Sequence, residues 1–223
     1  MLDGWPGGMT ADFDRDGKID HIFFMFSEEL KGASLSEDDI TVEGYTVLSA
    51  KTIGDEQTGS LEDLGAEFEG TGDDGVVLIV KLKEGADEDT SATPAITIAN
   101  NALFDLAGNA FAGLENVPAF DFAPPVATLE TSSTKTNIHL QFSEEVSQVT
   151  LDTDDTTVSG AVKITFDPST STVAEIEVDD SGLNDGDVIK LEIEELSLAK
   201  IDIDCILTWD GTKWNVKMGD FYF

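Results

Sequence analysis

Apolar residues along this chain fall in short runs, rich in Val, Ile and Phe, which are separated by Gly, Asp, Asn and Pro. In NIHLQF (137–142) they alternate with polar residues, as in a strand that has one face on a core. No stretch longer than about ten residues keeps a helical period. The pattern predicts an all-β protein of antiparallel β-sandwiches. The other clear runs are HIFFMF (21–26), VVLIVKL (76–82), AITIA (95–99), AVKITF (161–166) and VIKLEI (188–193).

The pattern occurs twice. HIFFMFSEEL (21–30) aligns with NIHLQFSEEV (137–146), a shift of 116 residues. The same shift carries DDITVEG (38–44) onto DDTTVSG (154–160) without a gap. Two matches at one offset indicate a duplicated module.

A boundary between the modules is predicted at DFAPPV (121–126), because two consecutive prolines block strand pairing. Residues 1–124 and 125–223 then form two tandem Ig-like sandwiches, each close to the usual length of about 100 residues. The second is expected to end in a C-terminal hairpin around Asp210-Gly211, with Trp209 and Trp214 as a cross-strand pair.

The charge is strongly unbalanced: 46 acidic residues stand against 12 basic ones, and the formal net charge is -34. Nucleic acid and anionic lipid are excluded as partners, because binding them relies on Lys and Arg. Self-repulsion of this size indicates a saline or cation-rich setting. No apolar run is long enough to predict membrane insertion. The aspartates at 73, 74, 87 and 89 read as solvated loop residues.

One acidic stretch has a specific spacing. DFDRDGKID (12–20) matches the first nine positions of an EF-hand calcium loop, with carboxylates at positions one, three, five and nine. Gly17 stands at position six, where that loop turns sharply, and Ile19 is expected to pin the loop to the core. The predicted Ca²⁺ ligands are the carboxylates of Asp12, Asp14, Asp16 and Asp20 and the backbone carbonyl of Lys18.

The match ends at position twelve, where an EF-hand has a bidentate glutamate and this chain has Phe23. A strand follows the loop instead of a helix, so the remaining ligands must come from elsewhere. The alternative is a solvated acidic turn in a chain rich in aspartate. SSTKTNI (132–138) replaces the loop in the second module, where we expect no equivalent site. The candidates for the remaining ligands are Asp105, Asn109, Glu28 and Glu29.

Enzymatic chemistry has little support. His21 and His139 do not correspond under the 116-residue shift, and the single cysteine, Cys205, excludes an internal disulfide. The adjacent glutamates at 28–29 and 144–145 point to opposite faces of a strand, so neither pair can flank a scissile glycosidic bond. We expect a protein that is not an enzyme.

The segments DRDGKIDHIFFMFSEEL, ATPAITIANNALFDLAGNAF and DFAPPV follow one another in an order that resembles bacterial Ig-like repeats of large secreted and cell-surface proteins, of adhesin or S-layer type. The resemblance covers roughly residues 1–126, and the second module only through TNIHLQFSEEV and DDTTVSG. It implies spacers, adhesive stalks, S-layer components or accessory modules of polysaccharide-degrading enzymes.

The expected function is therefore that of a calcium-stabilised structural or adhesive segment of an extracellular prokaryotic surface protein. One alternative is a self-assembling S-layer or filament subunit, whose tail (205–223) pairs with the exposed strand edge of a neighbouring copy. Another is a carbohydrate-binding accessory module, in which Trp5, Trp209 and Trp214 stack on surface glycans.

Overall fold

The computed structural model describes residues 7–32, 34–36, 38–53, 75–168, 172–195 and 202–219. Every pairing between the strands named in these ranges is antiparallel. The predicted all-β antiparallel class is confirmed. In the described part of the chain no helix is long and apolar enough to cross a membrane.

Two compact units divide the chain: unit 1 is Met1–Ala123 and unit 2 is Pro124–Phe223. The division lies one residue before the boundary expected from the two prolines. The strands of unit 1 are β1 (Met9–Ala11), β2 (His21–Leu30), β3 (Ser34–Leu35), β4 (Ile40–Val42), β5 (Thr46–Ile53), β6 (Gly75–Lys83), β7 (Ala95–Ile98) and β8 (Leu114–Pro118). Those of unit 2 are β9 (Ala127–Leu129), β10 (Asn137–Phe142), β11 (Val146–Asp152), β12 (Val162–Phe166), β13 (Val173–Val178), β14 (Val188–Glu195), β15 (Asp202–Trp209) and β16 (Trp214–Met218).

Unit 1 has a sheet of order β1-β2-β6-β5-β3 and a second sheet of order β4-β7-β8. Apart from the two-residue β3, this strand order is consistent with the A-B-E-D and C-F-G sheets of a constant-type immunoglobulin sandwich. Its core takes the residues that point inward from both sheets, since successive residues of a strand point to opposite faces. Among the largest of these buried side chains are Ile22, Phe24, Leu78, Leu82, Ile40, Ile96 and Ile98.

Unit 2 has sheets of order β9-β10-β13-β12 and β11-β14-β15-β16; the first matches the β1-β2-β6-β5 order of unit 1, and the second has one strand more than the β4-β7-β8 sheet. The predicted inward residues of β10, Ile138, Leu140 and Phe142, are buried in its core. The duplicated strands β2 and β10 begin 116 residues apart and occupy the same place in their sheets. The second repeated segment forms β4 in unit 1, whereas in unit 2 it lies outside a named strand and the Thr157 N–H donates to the Val188 carbonyl of β14.

The hairpin of β15 and β16 turns at Asp210-Gly211, where Gly211 has a φ of 84° and the Asp210 carboxylate accepts from the Thr212 N–H. Trp209 and Trp214 are directly opposite each other, with ring centroids 5.4 Å apart, so the predicted cross-strand pair is confirmed. Both side chains are buried in the core of unit 2. Trp5 and the final Phe221-Tyr222-Phe223 lie outside the described residues.

Candidate metal centre

The acidic loop is organised around Asp12, which directly follows β1 and is 3 % exposed. One oxygen of its carboxylate accepts from the Arg15 N–H at 2.7 Å, and the other accepts from the Gly17 N–H at 2.8 Å. Arg15 and Gly17 have φ values of 59° and 91°, so the chain turns sharply at both. The residue at loop position one therefore folds the loop around its own carboxylate.

Three carboxylates meet in this loop. Oxygen atoms of Asp12, Asp14 and Asp16 all lie within 4.8 Å of one another. Two oxygens that bind the same Ca²⁺ at about 2.4 Å are at most about 5 Å apart, so this spacing fits one ion. Asp14 and Asp16 are exposed, and Asp16 Oδ2 lies 2.7 Å from Lys18 Nζ. The lysine ammonium thus balances part of the charge on the solvent side of the loop.

A second group joins the same loop to another strand. Carboxylate oxygens of Asp14, Asp20 and Glu84 lie within 4.8 Å of one another. Glu84 directly follows β6, which pairs with β2 so that Lys81 is opposite His21. Burial, then the charges of Asp16 and Asp14, raise the pKa of the Glu84 carboxyl. The sequence did not reveal Glu84, because the β2–β6 pairing that brings it there leaves no local spacing to recognise.

Asp20 is held on several sides. Its Oδ1 accepts from the Phe13 N–H at 3.1 Å and lies 2.7 Å from Nδ1 of the buried His21. The Leu82 N–H donates to the Asp20 carbonyl at 2.7 Å, which fixes the end of the loop on β6. Oδ2 of its carboxylate takes part in none of these contacts.

Asp89 braces the loop from the connection between β6 and β7. Its Oδ1 accepts from the Ile19 N–H at 2.7 Å, its Oδ2 accepts from the Tyr45 hydroxyl at 2.6 Å, and its own N–H donates to the Gly17 carbonyl. Ile19 is fully buried, as predicted. The prediction that Asp89 is a solvated loop residue is wrong, since both oxygens of its carboxylate accept hydrogen bonds that hold the loop.

Ionising the buried Asp12 carboxyl beside the other aspartates of the loop costs free energy when no cation is bound. Burial raises the pKa of the Asp12 carboxyl from 3.8 to about 7; the N–H groups of Gly17 and Arg15 oppose the shift, and the charges of Asp20 and Asp14 add to it. A divalent cation at the loop would favour the ionised form and remove this penalty.

The structure does not bring the other predicted ligands to the loop. Glu28, Asp105 and Asn109 line a separate pocket of about 210 Å³ beside Leu30, at the far end of β2. Glu28 lies eight residues beyond Asp20 along β2, at most about 26 Å away at the rise of a strand. Asp105 accepts from the Asn109 N–H and from its Nδ2, both at 2.7 Å, so these two groups close their own turn. Glu29 is exposed on β2.

Among the residues that the structure describes, both groups of acidic side chains with metal-binding spacing lie in unit 1. Cys205 is fully buried, and burial raises the pKa of its thiol to about 12, which keeps it protonated and inert at neutral pH. His139 Nδ1 lies 3.7 Å from the Glu175 carboxylate on the neighbouring strand.

Part of this chain is similar in sequence to a bacterial cell wall protein. It is 29 % identical over 117 residues to an outer cell wall protein of Brevibacillus brevis. The aligned stretch covers 52 % of this chain and 10 % of that protein, so the chain spans about a tenth of the length of the curated relative. No family model matches the chain, and no solved structure matches it. The Ig-like assignment rests on the strand order and stays a prediction.

Proposed function

We propose that this chain is a non-enzymatic, calcium-stabilised structural or adhesive segment of a prokaryotic cell-surface protein. The likeness to an outer cell wall protein supports the cell-surface location and the structural role. The observation that supports the calcium part is the group of Asp12, Asp14 and Asp16, whose carboxylates are spaced for one ion and of which Asp12 is only 3 % exposed. The acidic composition fits a setting in which cations are abundant.

Calcium would act as a clamp on one sheet of unit 1. The loop joins β1 to β2, and Glu84 follows β6, so one ion between Asp14, Asp20 and Glu84 would tie the ends of three paired strands together. Extracellular calcium modules bind with dissociation constants of roughly 0.1–1 mM. At ten times that constant, calcium adds about 1.4 kcal/mol to the free energy of unfolding.

Calorimetry tests this proposal. Titration with CaCl₂ is expected to give binding heat, and the melting temperature in calcium is expected to exceed that in EDTA. Replacing Asp14 and Asp16 together by Asn should abolish both effects. The matched control replaces the exposed Glu115 and Glu145 by Gln, which removes the same charge elsewhere. An unchanged melting temperature in EDTA, together with no binding heat, refutes the site.

The two alternative functions, strand exchange and glycan binding, depend on the C-terminal tail and on Trp209 and Trp214. These residues contribute to the fold of unit 2. The described part of the tail forms β15 and β16, and β15 is an internal strand between β14 and β16. Trp214 donates its indole N–H to the Lys135 carbonyl, and Lys135 Nζ lies 5.9 Å from the centre of a Trp209 ring. Neither strand exchange through residues 205–218 nor glycan stacking on these two rings is favoured over the structural role.

A further inference from the structure

The first strand of unit 1 is held on both of its edges. On one edge β1 pairs antiparallel with β2. On the other edge Met9 forms a parallel bridge with Phe120, in the segment that follows β8. The Phe120 N–H donates to the Gly8 carbonyl at 2.9 Å, and the Thr10 N–H donates to the Phe120 carbonyl at 3.0 Å. The beginning of unit 1 is therefore hydrogen-bonded to its end.

The side chain of Thr10 strengthens this junction. Thr10 is fully buried, and its hydroxyl donates to the Phe120 carbonyl at 3.2 Å and accepts from the Phe122 N–H at 3.0 Å. The two backbones approach closely at the start of the pair, since a Cβ on Gly7 would collide with the Pro118 carbonyl. Residues 7–10 and 118–122 thus run side by side in the same direction, joined by hydrogen bonds of both backbone and side chain.

The direction of these two segments decides how they respond to tension. Force on the two ends of unit 1 pulls β1 by its N-terminal end and residues 118–122 by their C-terminal end. In a parallel pair these ends are opposite, so the segments are pulled along their length past each other. The hydrogen bonds between them then carry the force together, whereas a pair pulled from one end breaks bond by bond. The rate of forced unfolding is set by this step.

We propose that β1 and residues 118–122 form a mechanical clamp that makes unit 1 resist tension applied through its ends. Unit 2 differs here: β9 and β16 lie in different sheets, and among the described residues no backbone hydrogen bond joins them. The Ala127 N–H donates instead to Met218 Sδ, at 3.4 Å. Under the same tension unit 2 therefore unfolds first. The inference rests on the proposed structural role, because a clamp is used only under tension, but not on calcium binding.

Single-molecule force spectroscopy of the full chain in EDTA tests the clamp. The chain is held by its two termini at constant force. The two units are distinguished by the length that each releases, about 42 nm for unit 1 and about 34 nm for unit 2. We expect unit 2 to unfold before unit 1.

A second pulling geometry loads the clamp from one end. The handles are attached to the N-terminus and to the thiol introduced by Glu115→Cys, on β8 just before residues 118–122. Cys205 is fully buried and does not compete for the handle. At the same force unit 1 should unfold about tenfold faster than in the terminal geometry, because its hydrogen bonds now break one at a time.

Thr10→Val removes both side-chain hydrogen bonds from the clamp and keeps a branched side chain of similar size. The unfolding rate of unit 1 under terminal force should rise about tenfold, as expected for the loss of one to two hydrogen bonds. The matched control is Thr97→Val. The Thr97 hydroxyl accepts from the Asn116 N–H at 3.0 Å, between β7 and β8 and outside the clamp, so this rate should be nearly unchanged.

Three results overturn the proposal: unit 1 that unfolds before unit 2 under terminal force, equal unfolding rates of unit 1 in the two pulling geometries, or equal effects of Thr10→Val and Thr97→Val. The comparison of geometries needs no substitution inside the clamp, so it decides the question even where Thr10→Val does not fold.

These measurements are independent of the calcium site, because they are made in EDTA. Absence of binding heat in the calcium titration refutes the calcium part of the proposed function and leaves the clamp untouched. Conversely, equal unfolding rates in the two pulling geometries refute the clamp and leave the titration to decide the loop.

Discussion

The backbone N–H of Ile19 donates a 2.7 Å hydrogen bond to the carboxylate of Asp89, 70 positions further along the chain. The same carboxylate accepts from the Tyr45 hydroxyl, which makes it a brace between the acidic loop and two other connections of unit 1. Burial, and then the hydrogen bond to Asp89, raise the pKa of the Tyr45 hydroxyl. The loop is therefore held by a residue that offers no ligand to an ion.

We expect Asp89→Ala to destabilise unit 1 by about 1–3 kcal/mol, because it leaves the buried Ile19 N–H without its acceptor. Calcium affinity should fall as well, since the loop loses its fixed end. Urea unfolding with and without calcium measures both effects. Asp87→Ala is the control, since Asp87 is exposed in the same connection; equal stability of the two variants would contradict the bracing role.

Gly17→Ala should destabilise the loop more than Gly44→Ala does. Both glycines have a similar positive φ, 91° and 83°, which costs an alanine about 1 kcal/mol. At Gly17 an added Cβ would also meet the Glu88 side chain at 2.9 Å, whereas at Gly44 it meets nothing within 4 Å. Thermal unfolding of the two variants measures both losses of stability. Because the cost of the positive φ is shared, their difference gives the cost of the contact with Glu88. Equal losses at the two positions would show that Glu88 moves aside without cost.

The fold and the first half of the site were predictable because their signals are local. Alternation in NIHLQF placed Ile138 on the core, and the spacing from Asp12 to Asp20 grouped four carboxylates within nine residues. Glu84 and Asp89 were not predictable in this way, because the pairing of β2 with β6 brings their connection to the loop. Asp105 and Asn109 were misplaced for the same reason, since β2 carries the chain away to the opposite end of the sheet.

The Asp12 pKa makes stability depend on pH in a calcium-dependent manner. A carboxyl with a pKa near 7 in the folded chain and 3.8 in its ordinary state binds protons more tightly when folded. This group therefore leaves stability unaffected below about pH 4 and lowers it progressively as the pH rises to about 7. The prediction is a melting temperature in EDTA that falls between these pH values by more in the unsubstituted chain than in Asp12→Asn.

Calcium should reverse that trend, because the ion binds the ionised carboxylate and its affinity rises as Asp12 loses its proton. Melting curves at pH 4, 5.5 and 7, in EDTA and in millimolar calcium, provide the measurement. The difference between the unsubstituted chain and Asp12→Asn isolates this carboxyl from the many others that titrate over the same range. Parallel pH curves for the two proteins in EDTA would contradict the burial of a protonated Asp12.

Glu84→Gln tests whether the ion is shared between the loop and β6. Loss of one carboxylate from the Asp14, Asp20 and Glu84 group should weaken calcium binding by about tenfold, the equivalent of about 1.4 kcal/mol. Glu115→Gln is the control, because it removes the same charge from an exposed position on β8. Titration calorimetry of both variants gives the affinities. If Glu84→Gln binds calcium as tightly as Glu115→Gln, the ion is held by the loop alone, and the clamp between β2 and β6 is refuted although the loop site is not.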